Sequence, residues 1–170
     1  HQIARRGLVR TFQNLRLFGA LTVRENIEVS ALVASSTRRH CLPVDVDGLL
    51  VAADLWEVRD RRARELDYGT SRRLELARAA AMAPSFLLLD EPTSGMSDAE
   101  SLTMVDQVRR MAGLVGAGVM VIDHDLNFIT GICDRVTCLD RGQVIASGTP
   151  AEVQADPEVQ AAYLGTSAVN

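Results

Sequence analysis

The sequence predicts an α/β fold built on a mostly parallel sheet, with a small α-helical subdomain inserted into it. Three observations predict this. Phe86-Leu87-Leu88-Leu89 is a short apolar run ending in Asp90-Glu91, and Val119-Met120-Val121-Ile122 is another, ending in Asp123-His124-Asp125. Such runs suit strands buried on both faces of a parallel sheet. Helix-forming sequence lies between the two runs, as a parallel connection requires. Residues 23–65 then read as helices and charged connections with no strand between them.

In chain order, Leu8 to Phe12 is rich in β-favouring residues and reads as a short strand ending at Gln13-Asn14. Thr22 with Glu25 forms a capping box that opens a helix over 23–34. A polar break follows, then a helix over 49–58 with Leu49, Leu50, Ala53 and Trp56 on one side. Gly69 is expected to break the chain, and Thr70 or Ser71 to cap a helix reaching Met82. Pro84 ends that segment. Ser97 with Glu100 is a further capping box, opening a helix over 98–112. The strand over 119–123 leads to a helix over 126–131. Arg135 to Leu139 and Gln143 to Ala146 form a hairpin around Asp140-Arg141-Gly142. Thr149-Pro150-Ala151-Glu152 starts a helix, and Asp156-Pro157 starts a last helical stretch ending near Tyr163-Leu164-Gly165.

Composition narrows the function. With 170 residues, 47% of them apolar, the chain can bury a real core. The net charge of −4 argues against a nucleic-acid partner. No apolar stretch approaches the roughly 18 residues that span a bilayer. Cys41, Cys133 and Cys138 have no metal spacing, and the last two are assigned to the core. All 18 basic residues are arginine. The chain begins at His1 and runs at once into strand-like sequence, so a missing upstream segment is expected.

The acids at the end of 86–91 would stand at the carboxyl edge of the sheet, where ligands of such folds bind. Neighbouring residues of a strand face opposite ways. One carboxylate can hold Mg²⁺, a hard cation that takes one or two carboxylates plus phosphate oxygens. The other can orient or deprotonate a water. The alternative is a strand end with two solvated acids.

Five marks in this order resemble the ATP-binding subunit of an ABC transporter. Thr11-Phe12-Gln13 is similar to the Q-loop, and Leu66-Asp67-Tyr68-Gly69-Thr70 stands where the signature motif belongs. Phe86 to Glu91 resembles Walker B, Ser94-Gly95-Met96-Ser97-Asp98 the D-loop, and His124 the switch histidine. Arg10 to Asn14, Tyr68-Gly69 and Ala162 to Gly165 are similar to the branched-chain amino acid importers.

The resemblance implies a RecA-like P-loop NTPase core over 1–22 and 84–170, with a helical subdomain over 23–83. It implies ATP and Mg²⁺ as ligands. It also implies a second ATP-binding subunit, identical or different, and transmembrane permease subunits on the inner face of the membrane. Asp90 would hold Mg²⁺, directly or through water, and Gln13 would sense Mg²⁺ and water. Glu91 would position the attacking water and His124 would touch the γ-phosphate. Asp67, Tyr68, Gly69, Thr70 and Ser71 would close over a nucleotide held by the second subunit, with Tyr68 either packing or touching it.

Three departures qualify the resemblance. No Gly-x-x-x-x-Gly-Lys-[Ser/Thr] is present, and with no lysine none is hidden. That loop's backbone cradles the β-phosphate. A fragment lacking the Walker A region is therefore expected, unable by itself to bind ATP tightly. Asp67 and Thr70 replace the motif's serine and glutamine, and an ionised carboxylate cannot donate to phosphate. Repulsion therefore dominates there unless Arg72 or Arg73 swings in, and a weakened composite site is expected. Ser97 replaces the D-loop aspartate and is explained as a helix cap. Three functions fit: an ATPase subunit that energises an importer, a non-hydrolysing regulatory subunit, and an ABC ATPase not tied to transport.

Overall fold

The computed structural model describes residues 6–11, 15–37 and 43–164. The chain divides into two compact units, His1–His124 and Asp125–Asn170. In the first, strands β1 (Leu8–Arg10), β2 (Phe86–Asp90) and β3 (Gly118–Ile122) form a parallel sheet in that order. Leu8 pairs with Phe86, and Phe86 with Gly118, so the three strands run in step. Between β1 and β2 come α1 (Val23–Thr37), α2 (Val46–Ala52) and α3 (Tyr68–Ala81). Helix α4 (Asp98–Val115) carries the chain from β2 to β3.

The cap signals act as read. Thr22 Oγ1 accepts the Glu25 amide while Glu25 accepts the Thr22 amide. Ser97 and Glu100 make the same reciprocal pair at the start of α4. Helix α1 packs on α3, and α3 on α4. Helix α3 is buried on most of its circumference, including Leu74, Leu76 and Ala77, so it forms the centre of the helical layer.

Expectations for the sheet faces and for the helix over 49–58 change. The sheet is covered on one face among the described residues. Leu87 and Leu89 are 0% and 1% exposed, whereas Phe86, Met120 and Ile122 are 57%, 58% and 59% exposed. Leu89 faces Leu76 and Met104, which line the same small void. The helix expected over 49–58 starts earlier and stops sooner. Asp45 accepts the Gly48 amide and caps α2 at Val46, and Asp54 turns left-handed at φ 53° beyond its end. Trp56 then falls in a 3₁₀ turn, with the Arg24 and Arg59 guanidiniums 5.8 and 4.5 Å from its ring. Among side chains that could hold it, the Asp54 carboxylate accepts from Gln107 Nε2 at 2.8 Å and Arg110 Nη2 at 3.0 Å.

Beyond the end of α3, Ala83 also sits at positive φ, 47°, where helices usually place glycine. An L-residue there costs about 1–2 kcal/mol relative to the right-handed region. Ala83→Gly is expected to raise stability by about 0.5–1 kcal/mol, read as a higher denaturation midpoint at unchanged slope.

In the second unit, α5 (Leu126–Ile132) precedes an antiparallel hairpin of β4 (Val136–Asp140) and β5 (Gln143–Gly148). Arg141 and Gly142 both have positive φ, 46° and 80°, matching the twist of a two-residue hairpin turn. Thr149 and Glu152 cap α6 (Pro150–Ala155), and Asp156 caps α7 (Pro157–Val159), which leads into a wide turn over Gln160–Leu164. Tyr163 Oη donates to the Leu139 carbonyl at 3.2 Å. Cys133 and Cys138, expected in the core, are half-buried free thiols, because neither short element around them is fully covered. Cys41 and Gln13 lie outside the described residues. No helix among the described residues is long and apolar enough to cross a membrane.

Candidate functional site

The carboxyl ends of the three parallel strands converge on the acids. Asp90 is the last residue of β2, opposite Ile122 of β3. Its carboxylate is 2.6 Å from Arg10 Nη2 at the end of β1. Thr11 Oγ1 accepts the Asp90 amide at 3.4 Å. Glu91 extends the ladder by one bond, its amide donating to the Ile122 carbonyl at 2.8 Å. Glu91 nevertheless has φ 45°, a left-handed conformation that only its surroundings can hold. Strain of this kind clusters at functional sites.

Asp123, one residue past β3, ties the two strand ends together. Its side chain is fully buried. It accepts from Thr93 Oγ1 at 2.7 Å and the Thr93 amide at 3.2 Å, and from the His124 amide at 2.7 Å. The His124 ring stays 72% exposed, with Nδ1 3.6 Å from the Asp123 carboxylate. The structure thus brings Asp90, Glu91 and His124 to one sheet edge and holds the turn after Glu91 against the base of His124. Sequence reasoning missed Arg10 and Asp123. Arg10 carries no signal until the register of β1 on β2 is known. Asp123 could have been found as an acid directly before a strand-end histidine.

The start of α3 differs from expectation. Gly69 does not break the chain, and neither Thr70 nor Ser71 is the cap. Asp67 is the cap, with φ −66° and ψ 170°. Its Oδ1 accepts the Thr70 amide at 2.8 Å and its Oδ2 accepts the Thr70 hydroxyl at 2.9 Å. A carboxylate satisfies a helix N-terminus as well as a serine does, which is why the helix begins at Tyr68 with Gly69 inside its first turn. The Thr70 amide, then the Thr70 hydroxyl, hold the Asp67 carboxyl below its ordinary range, and the Arg73 guanidinium adds to this. Arg73 Nη2 reaches Thr70 Oγ1 at 2.8 Å, whereas Arg72 turns inward to Glu75 at 3.0 Å.

The turn 93–97 passes beside this helix start. Tyr68 Oη donates to the Ser94 carbonyl at 3.0 Å, and Gly95 has φ 79°. The Met96 amide donates to the Thr93 carbonyl, and Ser97 caps α4. A cavity of 470 Å³ opens here, lined by Asp67, Thr70, Arg73, Met96, Glu100 and Gln107. This cavity lies beside the start of α3, and neither Asp90 nor Glu91 lines it.

No group of three or more metal-binding side chains occurs among the described residues. Asp90 and Glu91 are hard oxygen donors at the sheet edge and fit a cation that arrives with phosphate oxygens of its own. Arg10 already balances the Asp90 charge.

This geometry defines a class, an α/β fold with acids at the carboxyl edge of a parallel sheet, and sequence and structure comparisons give the family. The ABC transporter profile matches residues 1–94, and the profile for branched-chain amino acid ATP-binding cassette transporters matches 143–169. The high-affinity branched-chain amino acid transport ATP-binding protein LivG of Salmonella typhimurium is 35% identical over 178 residues, covering 96% of this chain and 70% of its own. The lipopolysaccharide export system ATP-binding protein LptB of Haemophilus influenzae is 33% identical, covering 97% and 68%. Among solved structures, the ADP conformation of MJ1267, an ATP-binding cassette of an ABC transporter, superposes with a TM-score of 0.74 at 25% identity, covering 96% of this chain and 70% of its own. The chain belongs to the ABC transporter family, and its fold is the RecA-like P-loop core of the family's ATPase domains.

Proposed function

We propose that the protein is the ATP-binding subunit that energises an importer of branched-chain amino acids or related small solutes. The observation that carries this is the 35% identity to LivG across 96% of the chain. The match of 143–169 to the branched-chain amino acid profile supports it independently. In this reading the core is 1–22 with 84–170, and the helical subdomain is 23–83. The subunit pairs with a second ATP-binding subunit and docks on transmembrane permease subunits at the cytoplasmic face of the membrane.

The chain's residues divide the work. Asp90 holds Mg²⁺, directly or through water, and Gln13 completes that contact. Mg²⁺ held there would supply positive charge to offset that of the phosphates. Glu91 orients the attacking water and takes its proton. His124 donates to the γ-phosphate. Asp67 to Ser71 present the α3 N-terminus to a nucleotide on the second subunit, where amides and helix dipole favour an anion. The turn from Ser94 through Gly95, Met96 and Ser97 to Asp98 lies along the same contact. The sequence supplies no phosphate loop of its own.

Asp67 supports a second reading, a non-hydrolysing regulatory subunit that binds nucleotide or partner and only gates the complex. Co-expression with candidate permease subunits tests the leading reading. The subunit is expected to co-purify with two membrane-spanning proteins and to hydrolyse ATP faster with a leucine-loaded binding protein. Recovery with ribosomes or nucleic acid, without a membrane partner, contradicts it.

A further inference from the structure

We propose that Tyr68 is a positioning residue that ties the start of α3 to the turn 93–97, so that the two segments move as one body. Tyr68 stands in the first helical turn, 46% exposed. Its hydroxyl meets two groups. Arg72 Nε donates to it at 3.1 Å, and the Ser94 carbonyl lies 3.0 Å away. An arginine Nε–H can only donate and a carbonyl can only accept. The one phenolic hydrogen is therefore committed to Ser94, across 26 residues of chain.

The ring is held as well. The Arg72 guanidinium lies 5.5 Å from its centroid. Arg72 is itself immobilised, 3% exposed and paired with Glu75. That pair lines a small void with Thr11, Leu89 and Pro92, beneath the ends of β1 and β2. On the other side, a Cβ on Gly95 would come 3.3 Å from Tyr68 Cε1. The absence of a side chain at Gly95 lets the ring lie against the turn. Tyr68 thus joins Ser94 and Gly95 to a buried ion pair at the root of the sheet edge.

The kinetic consequence rests on the proposed function, which puts both segments at the subunit contact. The structural consequence does not. Tyr68→Phe removes the hydroxyl and keeps the ring, at a half-exposed position that tolerates the change. Hydrogen exchange is read on the full chain. The Ser94 and Met96 amides, which donate to the Glu91 and Thr93 carbonyls, are expected to exchange roughly fivefold faster, the size of one lost hydrogen bond. Amides in the second half of α3 keep their rates. In the assembled transporter, kcat for ATP is expected to fall several-fold with KM unchanged. Unaltered exchange at Ser94 and Met96 overturns the proposal. A raised KM at constant kcat also overturns it, because that marks a direct nucleotide contact. An assembly with no ATPase activity counts against the proposed function, while the exchange rates still decide the role of Tyr68.

Discussion

Glu91→Gln in the assembled transporter is expected to lower ATP hydrolysis by at least about 100-fold, the scale of a lost general base. Nucleotide binding is expected to persist, and the two ATP-binding subunits to stay closed around it. The amide has the shape of the carboxylate but cannot take the proton of an attacking water. The backbone should not change, because the Glu91 amide is held by a hydrogen bond to the Ile122 carbonyl and the residue does not rely on its side-chain charge alone. Stability is therefore expected to stay within about 0.5 kcal/mol of the parent. Hydrolysis at the parent rate removes Glu91 from the mechanism, and a non-hydrolysing gating subunit becomes the better reading.

Asp67→Ser is expected to speed hydrolysis at the composite site about tenfold, about 1.4 kcal/mol of barrier. Two unit charges 4 Å apart at an effective dielectric near 20 repel by about 4 kcal/mol, an upper figure here. Arg73, bound to Thr70 beside the carboxylate, offsets part of it. Arg72 offers no such help, being committed to Glu75. The carboxyl lies below its ordinary range, chiefly through the Thr70 amide. Its capping contribution is therefore fully present above an unfolded pKa of about 3.9 and is lost as pH falls through the lower folded value. Asp67 is charged throughout the neutral range, so mild acidification cannot mimic the substitution. Serine caps helices about as well as aspartate, so α3 should keep its start. An unchanged rate shows that Arg73 already cancels the repulsion.

The sheet was legible because apolar runs ending in acids leave few alternatives. The capping boxes at Thr22, Ser97 and Thr149 were legible because both partners are local in sequence. The start of α3 is not legible from the motif, in which Asp67 reads as a defect and not as the helix cap it is. Helix α2 was misplaced because the left-handed turn at Asp54 is held by Gln107 and Arg110, more than fifty residues away. Tyr68 bonding Ser94 and Arg10 pairing with Asp90 depend on tertiary register in the same way. The exposure of Met120 and Ile122 follows from which elements cover the sheet, and no local pattern reports that.

The most direct test is a structure of the Glu91→Gln subunit pair in the assembled transporter with ATP and Mg²⁺. The imidazole of His124 should lie within hydrogen-bond reach of the terminal phosphate, and the Asp90 carboxylate should reach the cation itself or one of its waters. Phosphates seated away from both residues would contradict the account.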